Sequence, residues 1–184
     1  MAPSPIPSHL LMNATAIRRV LSRMACEISH EHAAPGLVVL VGIQTGGVRV
    51  AQALARNLEK IWGHPVHVGQ LDVTMHRDDL HHRMAPKVHP TSIPFDITGK
   101  VVVLVDDVLF SGRTTRAALD ALHDLGRPKR TQLAVLIDRG HRELPIKADF
   151  VGKSVRTALT DRIEVVLAET NGVAKVLLEK AAAK

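Results

Sequence analysis

A single cysteine, no tyrosine, one tryptophan and three phenylalanines among 184 residues set the first limits. With only Cys26, the chain can form no intramolecular disulfide and no cysteine-based zinc site, which points to a reducing compartment and so to the cytoplasm. Aromatic residues make up 2% of the chain and hydrophobic residues 46%, so the core has to be built from Val, Leu, Ile and Ala. Such a core suits a buried parallel sheet flanked by helices, an α/β architecture. The first twenty residues contain Pro3, Pro5 and Pro7 and lack an apolar stretch of secretory type. No run elsewhere approaches a membrane span, so no membrane partner is expected. Three nucleotide and metal signatures are also missing. There is no HExxH, no GxGxxG and no GxxxxGKS/T, since Lys147 stands where Gly152-Lys153-Ser154 would need its earlier glycine.

What is present begins with charge. Twenty-four Lys and Arg against eighteen Asp and Glu give +6, which fits a phosphate-rich partner such as a nucleotide-like ligand or RNA. The eleven histidines are scattered, and His81 and His82 beside Asp78 and Asp79 read as a solvated loop. The length suits one domain over residues 1–184, with 1–12 a flexible N-terminal stretch.

Periodicity organises the rest. Ile17, Val20, Leu21, Met24, Ala25 and Ile28 mark one face of a first helix, with Asn13 or Thr15 as cap. Leu37–Ile43 is a short apolar run that predicts a buried strand. Gln44-Thr45-Gly46-Gly47 follows it, a turn that lets a ligand approach the main chain, and then a helix carrying Val48, Ala51, Leu54, Ala55 and Leu58. A strand is expected over 66–74. From 75 to 99 regular pattern gives way to Pro86, Pro90, Pro94 and many charges, as in a lid over a site. Further strands are expected at 101–105, 131–137, 149–151, 163–168 and 175–179, and a helix at 114–125 closed by Gly126 and Pro128.

The chemistry concentrates in VVVLVDDVLFSGRTT, residues 101–115. Asp106 and Asp107 end a buried strand, where open α/β sheets place ligands. The turn after them leads into a helix N-terminus, whose unpaired amides and dipole, with hydroxyls of Ser111, Thr114 and Thr115, suit a phosphate. The two carboxylates can accept bonds from sugar hydroxyls or hold a magnesium ion. The plainer reading is an acidic strand end with an ordinary helix cap.

This segment resembles the 5-phosphoribosyl 1-pyrophosphate (PRPP) motif of type I phosphoribosyltransferases. Together with AIRRVLSRMA, LVGIQTGG, LDVTMHRDDL and GRPKRTQLAVLIDRGHRELPIKADFVGK, it resembles the PyrR family of pyrimidine regulatory proteins and uracil phosphoribosyltransferases over roughly residues 16–169. The resemblance implies a central, mostly parallel sheet flanked by helices, with a small hood and a mobile loop. It implies conversion of uracil and PRPP to UMP and pyrophosphate with Mg2+, and a homodimer or larger homo-oligomer. By position it implies PRPP binding at Asp106, Asp107, Val108, Leu109, Phe110, Ser111, Gly112, Arg113 and Thr114. Pyrophosphate falls to Thr45, Gly46 and Gly47, and the mobile loop to Arg77, Asp78 and Asp79.

Ile137, Asp138 and Arg139 end the strand after the PRPP helix and are candidates to meet the base, although Asp138 could equally brace a turn. A pyrimidine leader RNA is a further implied partner, through Arg19, Arg23, His141, Arg142, Lys147 and Lys153. The pattern departs where Gln44 and Gly46 replace the family's cations around the turn, and where Cys26 and Glu31 replace basic residues. A UMP-responsive RNA-binding regulator and a purine phosphoribosyltransferase are the competing readings.

Overall fold

In the computed structural model, residues 8–76, 89–167 and 174–180 are described. Five parallel strands form the main sheet: β2 (Val38–Ile43), β3 (Val68–Leu71), β4 (Val101–Leu109), β5 (Arg130–Asp138) and β6 (Phe150–Ser154), in the order β3-β2-β4-β5-β6. The run at β2 is apolar throughout because every residue of that strand is buried, which only a sheet covered on both faces allows. Helices α1 (Ala14–Glu31) and α2 (Gly46–Trp62) cover one face, and α3 (Arg113–Leu125) covers the other.

Strand alternation sorts the core. Val103 and Val105 of β4 pack with Leu54 and Leu58 of α2 and Met24 and Ile28 of α1, while Val102 and Leu104 pack with Ala118 and Leu122 of α3. Full burial of a side chain of this size stabilises the fold by about 1.5–3 kcal/mol. Helix α1 is capped as its sequence suggests: the Asn13 carboxamide oxygen accepts the Ala16 N–H at 2.9 Å.

A second, antiparallel sheet of three strands forms the hood: β1 (Ser8–Asn13), β8 (Lys175–Glu179) and β7 (Arg162–Val166), with β8 in the centre. The expectation of a flexible stretch over 1–12 is therefore corrected from Ser8 onward. Met12 is buried, and β1 pairs with β8 along its length, with an irregularity between Leu10 and Met12. Met12 and Val176 of the hood join the core, and among the described residues two hydrogen bonds reinforce this: Lys153 Nζ donates to the Leu11 carbonyl at 3.2 Å, and Arg49 Nη1 to that of Leu167 at 3.2 Å.

Other bounds differ locally. The strand expected over 66–74 is confined to Val68–Leu71. Strand β6 extends past the expected 149–151 through Gly152-Lys153-Ser154, because glycine is the one residue that fits there: a Cβ on Gly152 would meet the Leu136 carbonyl oxygen at 2.4 Å. Within 75–99, Ile97 is buried and Ser92 bridges Gln70, while 89–99 holds no helix or extended strand. Arg77, Asp78 and Asp79 lie outside the described residues.

Candidate functional site

The carboxyl ends of β2, β4, β5 and β6 converge on one edge of the sheet. Strand β4 continues through the acidic pair to Leu109, and the period-two alternation of extended chain sends the two carboxylates to opposite faces. Asp106, buried, lines a cavity of about 310 Å³ on the α3 side, together with Phe110, Ser111, Gly112, Arg113, Thr114, Thr115 and Glu143. Its Oδ1 accepts the Asp107 N–H at 2.9 Å. Asp107 faces α2 instead, in a cleft lined by Thr45, Gly46, Arg49, Val165 and Leu167.

Each face meets a helix N-terminus. Gly112 precedes α3 with φ 92°, left-handed backbone that glycine adopts without strain. Gly112 has no side chain to cap the helix, Ser111 Oγ accepts the Arg113 N–H at 3.4 Å, and the positive end of the α3 dipole faces the cavity. Gly46 begins α2 beneath Asp107: a Cβ there would lie 1.9 Å from Asp107 Oδ2. Gly47 is equally constrained, its Cβ position lying 2.2 Å from the Val105 carbonyl oxygen. The Gln44–Thr45 peptide bond is cis, and Gln44 Nε2 donates to Gln70 Oε1 at 3.0 Å, so the side chain standing in place of a cation is turned toward β3.

A second cavity, of about 560 Å³, opens where β5 and β6 end side by side, Asp138 in register with Ser154. Both volumes fall in the range of small-molecule sites. It is lined by Asp138, Arg139, Gly140, His141, Ser154, Val155, Arg156 and Thr157. Of the three base candidates from the sequence, Asp138 and Arg139 line this cavity and Ile137 does not. Ile137 is fully buried in the core on the α1 and α2 face, so its side chain does not line this cavity. Asp138 braces the turn: Oδ1 accepts the Gly140 N–H at 2.9 Å and Oδ2 pairs with Arg142 at 2.5 Å.

The Arg139 guanidinium is also committed, donating to Thr157 Oγ1 at 3.1 Å and to the Ala158 carbonyl at 2.7 Å, and lying 4.3 Å from the centre of the Phe110 ring. Burial, opposed by the nearby Asp161 carboxylate, lowers its pKa. The lining also includes Ser154, Val155, Arg156 and Thr157, which sequence reasoning missed. The available signal was the edge rule itself: a strand parallel to β5 must end beside it.

The cationic set expected to face RNA is divided. Arg23 donates to the carbonyls of Val151 at 2.9 Å and Gly152 at 2.6 Å, and pairs with Glu27. His141 Nε2 lies 2.7 Å from the Thr157 carbonyl oxygen, its ring edge-on to Phe110. Arg142 binds four groups of its own chain. His141 and Arg142, both half-buried, thus bond to their own chain, while Arg23 keeps an exposed side chain beside its two carbonyl bonds. Lys153 is exposed but tied to Leu11, and Arg19 and Lys147 are exposed. Glu31, where the family pattern has basic character, pairs with Arg130 at 2.8 Å and accepts from Gln132 at 2.9 Å, joining α1 to β5. Cys26 is exposed beside His30 and Glu27.

Among the described residues no cluster of three His, Cys, Asp or Glu can hold a metal ion, and no helix is long and apolar enough to cross a membrane. Magnesium does not need such a cluster: it is commonly bound by one or two carboxylates plus substrate phosphates, and Asp106 or Asp107, on opposite faces of β4, can each offer one carboxylate.

Fold and site together define a phosphoribosyl-transfer enzyme. The family described as phosphoribosyl transferase domain matches residues 11–167. The bifunctional protein PyrR of Chloroflexus aurantiacus is 56% identical over 174 residues, covering 94% of this chain and 96% of the relative. That of Thermus thermophilus is 53% identical over 169 residues, covering 91% and 93%. Among solved structures, a hypoxanthine phosphoribosyl transferase of Trypanosoma cruzi superposes with a TM-score of 0.73 at 18% identity, covering 98% of this chain and 95% of that one. This last likeness concerns the fold. The chain belongs to the phosphoribosyl transferase domain family and, within it, to the PyrR family.

Proposed function

We propose that this protein transfers the phosphoribosyl group of PRPP to uracil, giving UMP and pyrophosphate. The observation that carries the reading is the division of the acidic pair. One carboxylate stands beside an anion-accepting helix N-terminus at α3, the other against a glycine turn at α2, the two faces that a sugar phosphorylated at both ends would span.

In this reading the amides and hydroxyls of Ser111, Gly112, Arg113 and Thr114 receive the 5-phosphate, Asp106 and Asp107 accept from the ribose hydroxyls, and Thr45, Gly46 and Gly47 approach the pyrophosphate with main-chain amides. Uracil N1 forms a bond to the anomeric carbon as the bond from that carbon to pyrophosphate oxygen breaks. The bonding pair leaves with pyrophosphate, and the N1 proton is lost. Positive charge builds on the sugar and negative charge on the leaving group, so donors aimed at the pyrophosphate lower the barrier. Magnesium, held through PRPP with Asp106 or Asp107, would neutralise part of the leaving-group charge.

The cavity between β5 and β6 suits the base, met by Val155 to Thr157. Arg77, Asp78 and Asp79 are proposed for the loop that closes over the site. The chain is read as cytoplasmic and as a homodimer or larger homo-oligomer, the latter measurable by light scattering.

Incubation with PRPP, Mg2+ and a panel of uracil, hypoxanthine, adenine and orotate tests the enzyme and its base together. UMP formation abolished by Asp107→Asn is the expected result. Turnover of hypoxanthine with none of uracil would sink the assignment. A second reading, a UMP-responsive regulator that binds pyrimidine leader RNA, draws on the +6 charge and the exposed Arg19 and Lys147. Its signature is a salt-dependent RNA affinity raised by UMP.

A further inference from the structure

We propose that Arg142 is a positioning residue for phosphoribosyl transfer, tying the β5 end of the base cavity to the backbone of the loop that receives the 5-phosphate. The inference rests on the transferase reading above, and it assigns the GHREL segment a task different from RNA contact.

A guanidinium carries five N–H donors in a rigid plane. Arg142 directs Nε to the Ile146 carbonyl at 3.0 Å, Nη1 to the carbonyls of Phe110 at 2.9 Å and Gly140 at 3.1 Å, and Nη2 to Asp138 Oδ2 at 2.5 Å. These four contacts leave little donor capacity for an external phosphate. The side chain is 23% exposed, so the bonds form where water competes weakly.

Three of the four partners belong to two sites. Asp138 and Gly140 line the cavity between β5 and β6, and Phe110 lines the cavity at the α3 N-terminus. Neighbouring residues reinforce the link: the N–H groups of Glu143 and Leu144 both donate to the Ser111 carbonyl, at 3.0 and 3.2 Å. The Phe110 ring is itself held by Arg139 and His141, both from the base cavity. With the carbonyls of Phe110 and Ser111 fixed from outside, the amides that follow them stay turned toward the phosphate. Arg142 touches neither ligand; it sets the frame that both share.

The test is Arg142→Gln beside Arg142→Lys in the full-length protein, with uracil turnover, PRPP affinity by calorimetry in Mg2+, RNA affinity and thermal melting measured for each. The expected result for the Gln variant is a KM and a Kd for PRPP raised about tenfold or more, since a loop displaced by a fraction of an ångström no longer meets its phosphate. The Lys variant, with donors radiating from one point, is expected to recover only part of this. PRPP affinity and KM unchanged with RNA binding lost would overturn the proposal in favour of an RNA contact. Lowered melting with unchanged KM in both variants would overturn it in favour of a purely structural role. If the wild-type protein fails to use uracil, the transferase assignment fails, and PRPP calorimetry still reads the effect of Arg142 on the loop.

Discussion

Gly46 and Asp107 are in contact so close that no side chain fits between them: a Cβ on Gly46 would stand 1.9 Å from Asp107 Oδ2 and 2.3 Å from Cγ. The glycine turn and the acidic strand end therefore form one unit across the gap between α2 and β4. Gly46→Ala forces the Asp107 carboxylate aside while the sheet beneath it is untouched. The expected outcome is a loss of kcat/KM for PRPP of about a hundredfold, with the melting temperature little changed. Steady-state kinetics and calorimetry check both halves.

Asp72 ties Thr74 to His89. Its carboxylate accepts the N–H of Thr74 at 2.7 Å through Oδ1 and that of His89 through Oδ2. Burial raises its pKa, but bonds from Thr74 and His89 outweigh this and hold it below its ordinary value of 3.8. A carboxylate with a depressed folded pKa contributes stability above its unfolded pKa and loses it as pH falls through the folded value. The stability difference between wild type and Asp72→Ala should therefore be full at neutral pH and shrink below about pH 4. Denaturant melts across that range measure it.

Thr115 Oγ1 is buried on α3 with no hydrogen-bond partner among the described residues. A buried hydroxyl that finds no partner carries its desolvation cost uncompensated. Thr115→Val is expected to raise unfolding free energy by about 1 kcal/mol, measured by chemical denaturation in the absence of ligand.

Arg23 is read here as a strut between α1 and β6. Arg23→Ala removes both bonds to the Val151 and Gly152 carbonyls, which the structure places at 2.9 and 2.6 Å. Destabilisation of about 1–3 kcal/mol is expected. A variant that melts like the wild type would return Arg23 to the set of surface cations.

The main sheet was legible because its strands are apolar on both faces, and the PRPP segment because its polar residues interrupt that pattern where a ligand edge belongs. Strand β1 was hidden by Pro3, Pro5 and Pro7 beside a six-residue strand whose partner, β8, lies at the far end of the sequence. The GHREL segment shows its charges in the sequence but not its contacts: Arg142 reaches Phe110, thirty-two positions away, and the local pattern carries no trace of that bond. The base cavity is half legible: the strand at 131–137 is expected, but the one expected at 149–151 stops short of Gly152, which close packing against Leu136 requires.

The hood brings one more consequence. Strand β1 precedes the other strands in the chain and must wait for β8, which follows them all, before it is paired, since β8 sits between β1 and β7. The parallel sheet, built from contacts nearer in sequence, can be in place by then. Folding should finish by closing the hood over a preformed cleft, and loss of β8 would leave β1 as an unpaired edge open to association between chains.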